Sequence, residues 1–238
     1  MARFILVHGA WGNAAGWSRL ERRLTAAGHR VEALDLPGHG QSPVPPQTVG
    51  QPEYVAAVEA VLLAGPPAIL VGHSMGGIVI AQVASRQPKH TVSCVFVAAL
   101  LPRDGDSLLS LIRQQDAPGI QGAVRPGPVA GTTVLDPDVA GATLMQDASP
   151  TLAASALAVM SPQSNKAQKD PAILGPGFAK VPRAYVFCTQ DQVVTPALQR
   201  KMVADSPCEA VFTLDCGHVP QLTQPQALAE ILKGLASV

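Results

Sequence analysis

The residues best able to do chemistry in this chain sit in three short loops. The first reads Gly72-His73-Ser74-Met75-Gly76. A serine hydroxyl is a weak nucleophile and attacks a carbonyl only when a neighbouring base takes its proton. The G-x-S-x-G spacing suits such a serine. On a sharp strand-to-helix turn, side chains at the two glycine positions would strike neighbouring backbone, and the hydroxyl between them stands clear. Free N–H groups at the start of the following helix favour negative charge developing there. A glycine-rich turn with an incidental serine is the plainer reading, and the other two loops weigh against it.

The second loop, Asp215-Cys216-Gly217-His218-Val219-Pro220, offers a base. Of the six histidines, His218 alone sits late in the chain on a strand-end loop with a glycine beside it. His29 and His90 precede strands at the opposite end of the sheet, His39 lies in a Pro-Gly turn, and His73 is held in the serine turn itself. An imidazole acting as base needs a carboxylate to set its tautomer and stabilise the imidazolium. Asp191, in C-T-Q-D-Q-V-V-T-P, is the preferred partner because it gives the chain order Ser, Asp, His. Asp104 and Asp215 are its rivals.

The third loop is His8-Gly9-Ala10-Trp11-Gly12. A tetrahedral intermediate carries its charge on the former carbonyl oxygen, and each preorganised N–H donor contributes on the order of 100- to 1000-fold. The N–H groups of Met75 and Ala10 are the expected donors, since Gly9 lets the backbone bend close to Ser74. His8 reads as a structural hydrogen-bonder.

These loops need a frame that brings strand ends together. Strands are expected at Phe4–His8, Arg30–Leu36, Ala68–Gly72, Thr91–Leu100, Arg183–Cys188 and Ala210–Leu214. Helices are expected at Trp17–Ala27, Glu53–Leu63, Gly76–Arg86, near Pro196–Val203 and at Gln224–Leu235. Alternation of strands and helices implies a mainly parallel sheet with helices on both faces, and several strands are nearly continuous apolar runs, as a doubly covered sheet requires. From Asp104 to Phe178 the alternation stops, Pro and Gly recur, and only helical patches at Leu108–Gln115 and Leu152–Met160 can be drawn. Residues 104–178 are expected to form an inserted, helical cap within a single domain spanning 1–238. Leu108, Leu109, Leu111, Ile112, Leu152 and Met160 are candidates to line a pocket beneath it, with at least half of them expected only to glue the cap to the sheet.

Composition narrows the function classes. Seventeen basic residues balance 17 acidic ones, which removes the electrostatic ground for nucleic-acid or membrane-surface binding. No apolar stretch approaches the roughly 18 residues needed to span a bilayer. The opening M-A-R-F-I-L-V-H-G-A-W runs too directly into a working loop to be a signal peptide, so a cytoplasmic location is expected. The four cysteines lack the close spacing of zinc or redox motifs and read as buried thiols, with Cys208–Cys216 the one pairing worth weighing.

With F-I-L-V-H-G-A-W, W-S-R-L, L-D-L-P-G-H-G, V-G-H-S-M-G-G, T-Q-D-Q-V-V-T-P-A-L-Q and G-H-V-P-Q-L-T in place, the chain resembles the α/β-hydrolase superfamily over nearly its full length. Within it, the resemblance is to plant methylesterases, hydroxynitrile lyases and related bacterial esterases. The resemblance implies the α/β-hydrolase fold, a catalytic triad of Ser74, Asp191 and His218, and an oxyanion hole at Ala10 and Met75. It also implies hydrolysis without metal or cofactor. Cyanohydrin-cleaving members carry a threonine and a lysine where this chain has Gly9 and Val219, so ester hydrolysis is the stronger expectation. A small uncharged ester, short-chain or aromatic, is the expected substrate, bordered by Gly9, Trp11 and Val219. Lactone, thioester and carbon–carbon hydrolysis on the same triad, or ligand binding without turnover, are the alternatives. Relatives of this kind are often dimers, and a homodimer is left open.

Overall fold

The computed structural model describes residues 1–236. Six parallel strands, β1 (Arg3–Val7), β2 (Arg30–Leu34), β3 (Ala68–His73), β4 (Thr91–Val97), β8 (Arg183–Cys188) and β9 (Ala210–Leu214), form one sheet in the order β2-β1-β3-β4-β8-β9. Side chains alternate between its faces. Ile5, Val7, Leu70, Cys94, Phe96 and Tyr185 enter one apolar cluster, whereas Phe4, Leu6, Ile69, Val71, Val95 and Val97 enter the other. Helices α2 (Gln51–Leu63) and α3 (Gly76–Arg86) cover the first face, and α1 (Ser18–Ala26) and α10 (Pro225–Leu235) the second. Burial on both sides is the reason these strands read as unbroken apolar runs.

Chain order and sheet order part company at β1 and β3. The chain leaves β1 for β2, then crosses back to β3 on the other side, and such a switch point opens a crevice beyond the strand ends. The register sets Val7 opposite Gly72, which brings the His8 loop against the serine turn.

Strand β1 ends one residue before the expected His8, and β2 and β4 stop two and three residues early, each of these two to serve that crevice. At the end of β2 the Leu36 N–H leaves the ladder and donates to His8 Nε2 at 3.1 Å. After β4 the chain turns at Ala98, whose φ is 44°, and the Leu100 N–H donates to the Ser74 carbonyl at 3.0 Å.

The expectation of a helical insert is corrected in part. Its helices are α4 (Leu108–Ile112), α5 (Pro137–Leu144), α6 (Pro150–Leu157) and α7 (Asn165–Lys169), but it also holds a three-stranded antiparallel sheet, β5 (Val124–Pro126), β6 (Thr132–Leu135) and β7 (Gln163–Ser164). These strands are two to four residues long, too short to show alternation. The ends of the insert clasp each other through Gly105 N–H to Ala172 O at 2.8 Å and Ala172 N–H to Asp106 O at 2.7 Å. Buried polar groups pin its sheet to the main body: Ser164 Oγ donates to Val49 O at 2.6 Å and Gln163 Nε2 to the Tyr54 hydroxyl at 3.1 Å. Among the described residues, no helix is long and apolar enough to cross a membrane.

Candidate active site

Ser74 occupies the turn between β3 and α3 with φ at 53°, in the left-handed region that a non-glycine residue enters at a cost of about 1–2 kcal/mol. Its carbonyl accepts from Gly77 N–H at 3.1 Å and Leu100 N–H at 3.0 Å, and these bonds hold the strained residue in place. The flanking glycines are required by close approach: a Cβ on Gly72 would lie 2.7 Å from the Gly76 carbonyl, and one on Gly76 would lie 2.4 Å from Val7 O. Ser74 is half-buried while its neighbours His73 and Met75 are buried.

The His8 loop closes over the same turn. A Cβ on Gly9 would come within 2.7 Å of Ser74 Cβ, so only glycine lets this backbone sit against the serine. Neither the Ala10 N–H nor the Met75 N–H is taken by a protein partner among the described residues. His8 is occupied structurally: Nε2 accepts from Leu36, which leaves Nδ1–H to donate to the Gly9 carbonyl at 2.8 Å. Burial drives its pKa down to about 4, against the smaller raising effect of the Gly9 bond, so the ring stays neutral.

His218 and Asp191 meet from two other strand ends. His218 Nδ1 lies 2.8 Å from Asp191 Oδ2, and the residues are 1% and 3% exposed. The carboxylate is saturated: Oδ1 accepts from Val193 N–H at 2.7 Å and Val194 N–H at 3.0 Å, and Oδ2 also accepts from Gln199 Nε2 at 3.1 Å. An ionised carboxylate is acceptor-only, so Nδ1 carries the imidazole proton and Nε2 is left with a lone pair. His73 packs its ring 4.7 Å from that of His218 and donates from Nε2 to the His218 carbonyl at 2.7 Å. Burial, then the neighbouring His218, hold the His73 pKa well below its usual value.

The rivals for Asp191 are placed elsewhere. Asp104 accepts from Leu174 N–H at 2.8 Å and ties the ends of the insert together. Asp215 is engaged on the surface by Thr189 Oγ1 at 2.5 Å and Gln190 Nε2 at 2.9 Å, bonds that hold its carboxyl below the ordinary range. Cys208 lies away from Cys216, whose sulfur is instead 3.6 Å from that of Cys188; all four cysteines are free thiols.

Two cavities meet at Ser74. One, of about 330 Å³, includes His218, Val219, Gly9, Trp17, Leu144 and Met160 in its wall. The other, of about 470 Å³, is bounded by Leu100, Leu108, Leu109, Ile112, Gln168 and Val194. Ala10, Trp11, Ser74, Ile120 and Val193 border both. Five of the six candidate lining residues therefore reach a cavity, Leu152 and Met160 in the first and Leu108, Leu109 and Ile112 in the second. Only Leu111 serves the core alone, which corrects the expectation that half or more would do so.

Trp11, with φ at 58°, bonds the insert through Nε1 to Thr133 Oγ1 at 3.3 Å and through its N–H to Gln163 Oε1 at 3.3 Å. Gln199 and Gln163, which hold Asp191 and Trp11, carry no sequence signal, because a glutamine's partners here lie far along the chain or in the fold. Among the described residues, no cluster of three or more His, Cys, Asp or Glu side chains is arranged to hold a metal ion.

Fold and site together define a hydrolase with a serine on a nucleophile turn. The chain matches the alpha/beta hydrolase family over residues 4–231 and belongs to it. Among curated proteins it is 30% identical to the esterase PIR7B of Oryza sativa subsp. japonica, over 98% of this chain and 95% of that one. It is 27% identical to methyl jasmonate esterase 1 of Vitis vinifera, over 97% and 95% respectively. Among solved structures, a pyrethroid hydrolase superposes with a TM-score of 0.87 at 25% identity, covering 100% of this chain and 98% of that one. Polyneuridine aldehyde esterase has a TM-score of 0.89 at 23% identity, covering 99% of each, a likeness of fold alone. The chain is an esterase-type enzyme of this family.

Proposed function

We propose that the protein is a serine carboxylesterase that cleaves an uncharged ester through an acyl-enzyme on Ser74. The carrying observation is that Ser74, the Asp191-bound His218 and Ala10 border one cavity, while the N–H groups of Ala10 and of Met75, the residue after Ser74, have no protein partner among the described residues. His218 Nε2 takes the Ser74 proton as Oγ attacks the carbonyl carbon. The oxyanion is held by Ala10 and Met75, and the imidazolium by Asp191. Collapse expels the alkoxide, which leaves as alcohol with the proton from Nε2. Water, deprotonated by the same nitrogen, then releases the acid and restores Ser74.

The esterase names of the relatives support this reading. Cyanohydrin cleavage is disfavoured, because the position beside the base holds the buried, apolar Val219 and no ammonium group. The walls are mainly apolar, with one arginine at each cavity, Arg19 and Arg113, and favour an uncharged substrate. Hydrolysis of p-nitrophenyl acetate, butyrate and octanoate by the wild type and Ser74→Ala tests the reading. Repeated turnover by the wild type and background rates for folded Ser74→Ala are expected, with a mass increment of the acyl group trapped on the Ser74 peptide. Equal rates in the two proteins would end it.

A further inference from the structure

Two cavities at one nucleophile raise the question of which half of an ester enters each. His218 answers it, because the same Nε2 that accepts the Ser74 proton must deliver it to the departing oxygen. The alkoxy half therefore lies on the His218 side. His218 borders the 330 Å³ chamber and not the 470 Å³ chamber. A methyl leaving group would fill a small corner of that space. Its apolar wall, with Trp17, Leu144, Met145, Leu152 and Met160, gives water few of the two to four polar partners it needs.

Asn13, Ser18, Arg19, Ser155 and Gln221 also border the chamber; Asn13, Arg19 and Ser155 bond protein carbonyls, whereas Gln221 holds a buried atom with no partner. Gln221 lies in the short helix α9 (Pro220–Thr223), three residues after His218, and borders the same chamber. The residue is 6% exposed, and its Oε1 is buried with no hydrogen-bond partner. The other such side-chain atoms among the described residues belong to His90, Gln146 and Arg183, none of which borders either cavity. Leaving a buried acceptor unpaired is costly, and a turn of the Gln221 amide that brings Oε1 to a ligand donor in the chamber removes the cost.

The geometry points to a leaving-group site in the His218 chamber for a bulky, largely apolar alcohol of arylmethyl size, with Gln221 reading a hydrogen-bond donor on that alcohol. The acyl half occupies the chamber of Leu100, Leu108 and Ile112. This assignment rests on the acyl-enzyme reading above and deepens it by naming the alcohol class. It separates this chain from an enzyme that need only accommodate methanol as its leaving group.

The test is a set of butyrates that share one acyl group: methyl, benzyl, and 3- and 4-(hydroxymethyl)benzyl. Methoxide and benzyloxide are similar leaving groups, so differences report the chamber. Benzyl butyrate is expected to exceed methyl butyrate at least tenfold in kcat/KM. One hydroxymethyl isomer is expected to exceed benzyl by about tenfold, mainly through KM, and that ratio should fall to one or below in Gln221→Leu. Each ratio is taken within a single protein sample, so incomplete folding of the variant does not enter it. Equal rates for methyl and benzyl esters would overturn the chamber assignment. A hydroxymethyl preference that is absent in the wild type, or that survives in Gln221→Leu, would overturn the role of Gln221. Inactivity on these esters and on p-nitrophenyl butyrate alike would strike the Ser74 reading itself, and the alcohol assignment with it.

Discussion

Replacing Asp191 by Asn changes one oxygen to an amide, and the surrounding bonds dictate how that amide sits. The N–H groups of Val193 and Val194, at 2.7 and 3.0 Å, require an acceptor at the Oδ1 position. The new NH2 is therefore turned toward His218 Nδ1 and Gln199 Nε2, at the place where Oδ2 now accepts at 2.8 and 3.1 Å. His218 must then accept at Nδ1, its proton moves to Nε2, and the nitrogen proposed to take the Ser74 proton has no lone pair. Loss of the correct tautomer in a Ser-His-Asp site lowers kcat about 10⁴-fold, or about 5 kcal/mol of transition-state stabilisation. The effect on folding is smaller, since Gln199 keeps its 2.7 Å bond to Val194 O and forfeits one bond worth about 1 kcal/mol. The assay is steady-state hydrolysis of p-nitrophenyl butyrate by wild type, Asp191→Asn and Asp215→Asn, with thermal unfolding of each. Asp215, engaged on the surface, should stay within about twofold of wild type. A folded Asp191→Asn enzyme that keeps more than about a tenth of wild-type kcat would refute the assignment of Asp191 as orienting carboxylate.

Three further outcomes follow from the same geometry. Gly9→Ala places a Cβ 2.7 Å from Ser74 Cβ and forces the Ala10 donor away, so kcat should fall by about 10²–10³ with the far-ultraviolet circular dichroism unchanged; near-wild-type kcat would argue against the Ala10 donor. Ser74→Gly should abolish turnover yet raise Tm by a few degrees, since relief of φ at 53°, about 1–2 kcal/mol, outweighs the extra entropy lost by glycine, about 0.5–1 kcal/mol; an unchanged or lower Tm would mean the elbow is unstrained. His8, moved from 6.5 to about 4 by burial, binds a proton in the unfolded chain before the folded one. Its contribution is whole above pH 6.5 and is lost as pH falls toward 4, by roughly 3 kcal/mol, and His39 and His73 act in the same direction. Urea unfolding at pH 7.5 and pH 4.5 measures this, and equal stabilities at the two would contradict it.

Much of the frame was legible because its signals are local. Phe4 to Val7 and Val95 to Val97 are unbroken apolar runs since each neighbour is buried on the opposite face of the sheet. The Ser74 turn was legible because Gly72 and Gly76 are demanded by contacts within a few residues or with the adjacent strand. The cap strands were not, because Thr132 and Gln163–Ser164 become strands only by pairing with one another across some thirty residues. The placing of Cys216 beside Cys188 depends likewise on the pairing of β8 with β9 and on the path of the loop after β9.

The amino-acid sequence by itself determined the α/β alternation, the glycine-framed serine and the late histidine, because backbone sterics and side-chain periodicity act over short distances along the chain. Tertiary structure decided which carboxylate serves His218. Asp104, Asp191 and Asp215 are chemically equal, and only the loop after β8 brings one to 2.8 Å while giving it two backbone donors and Gln199. It also decided that two cavities meet at Ser74 and that Gln221 borders one of them with its Oε1 buried and unpaired. Such sites are made by residues far apart in the chain, and their energies exist only once packing has excluded water and fixed every neighbouring bond.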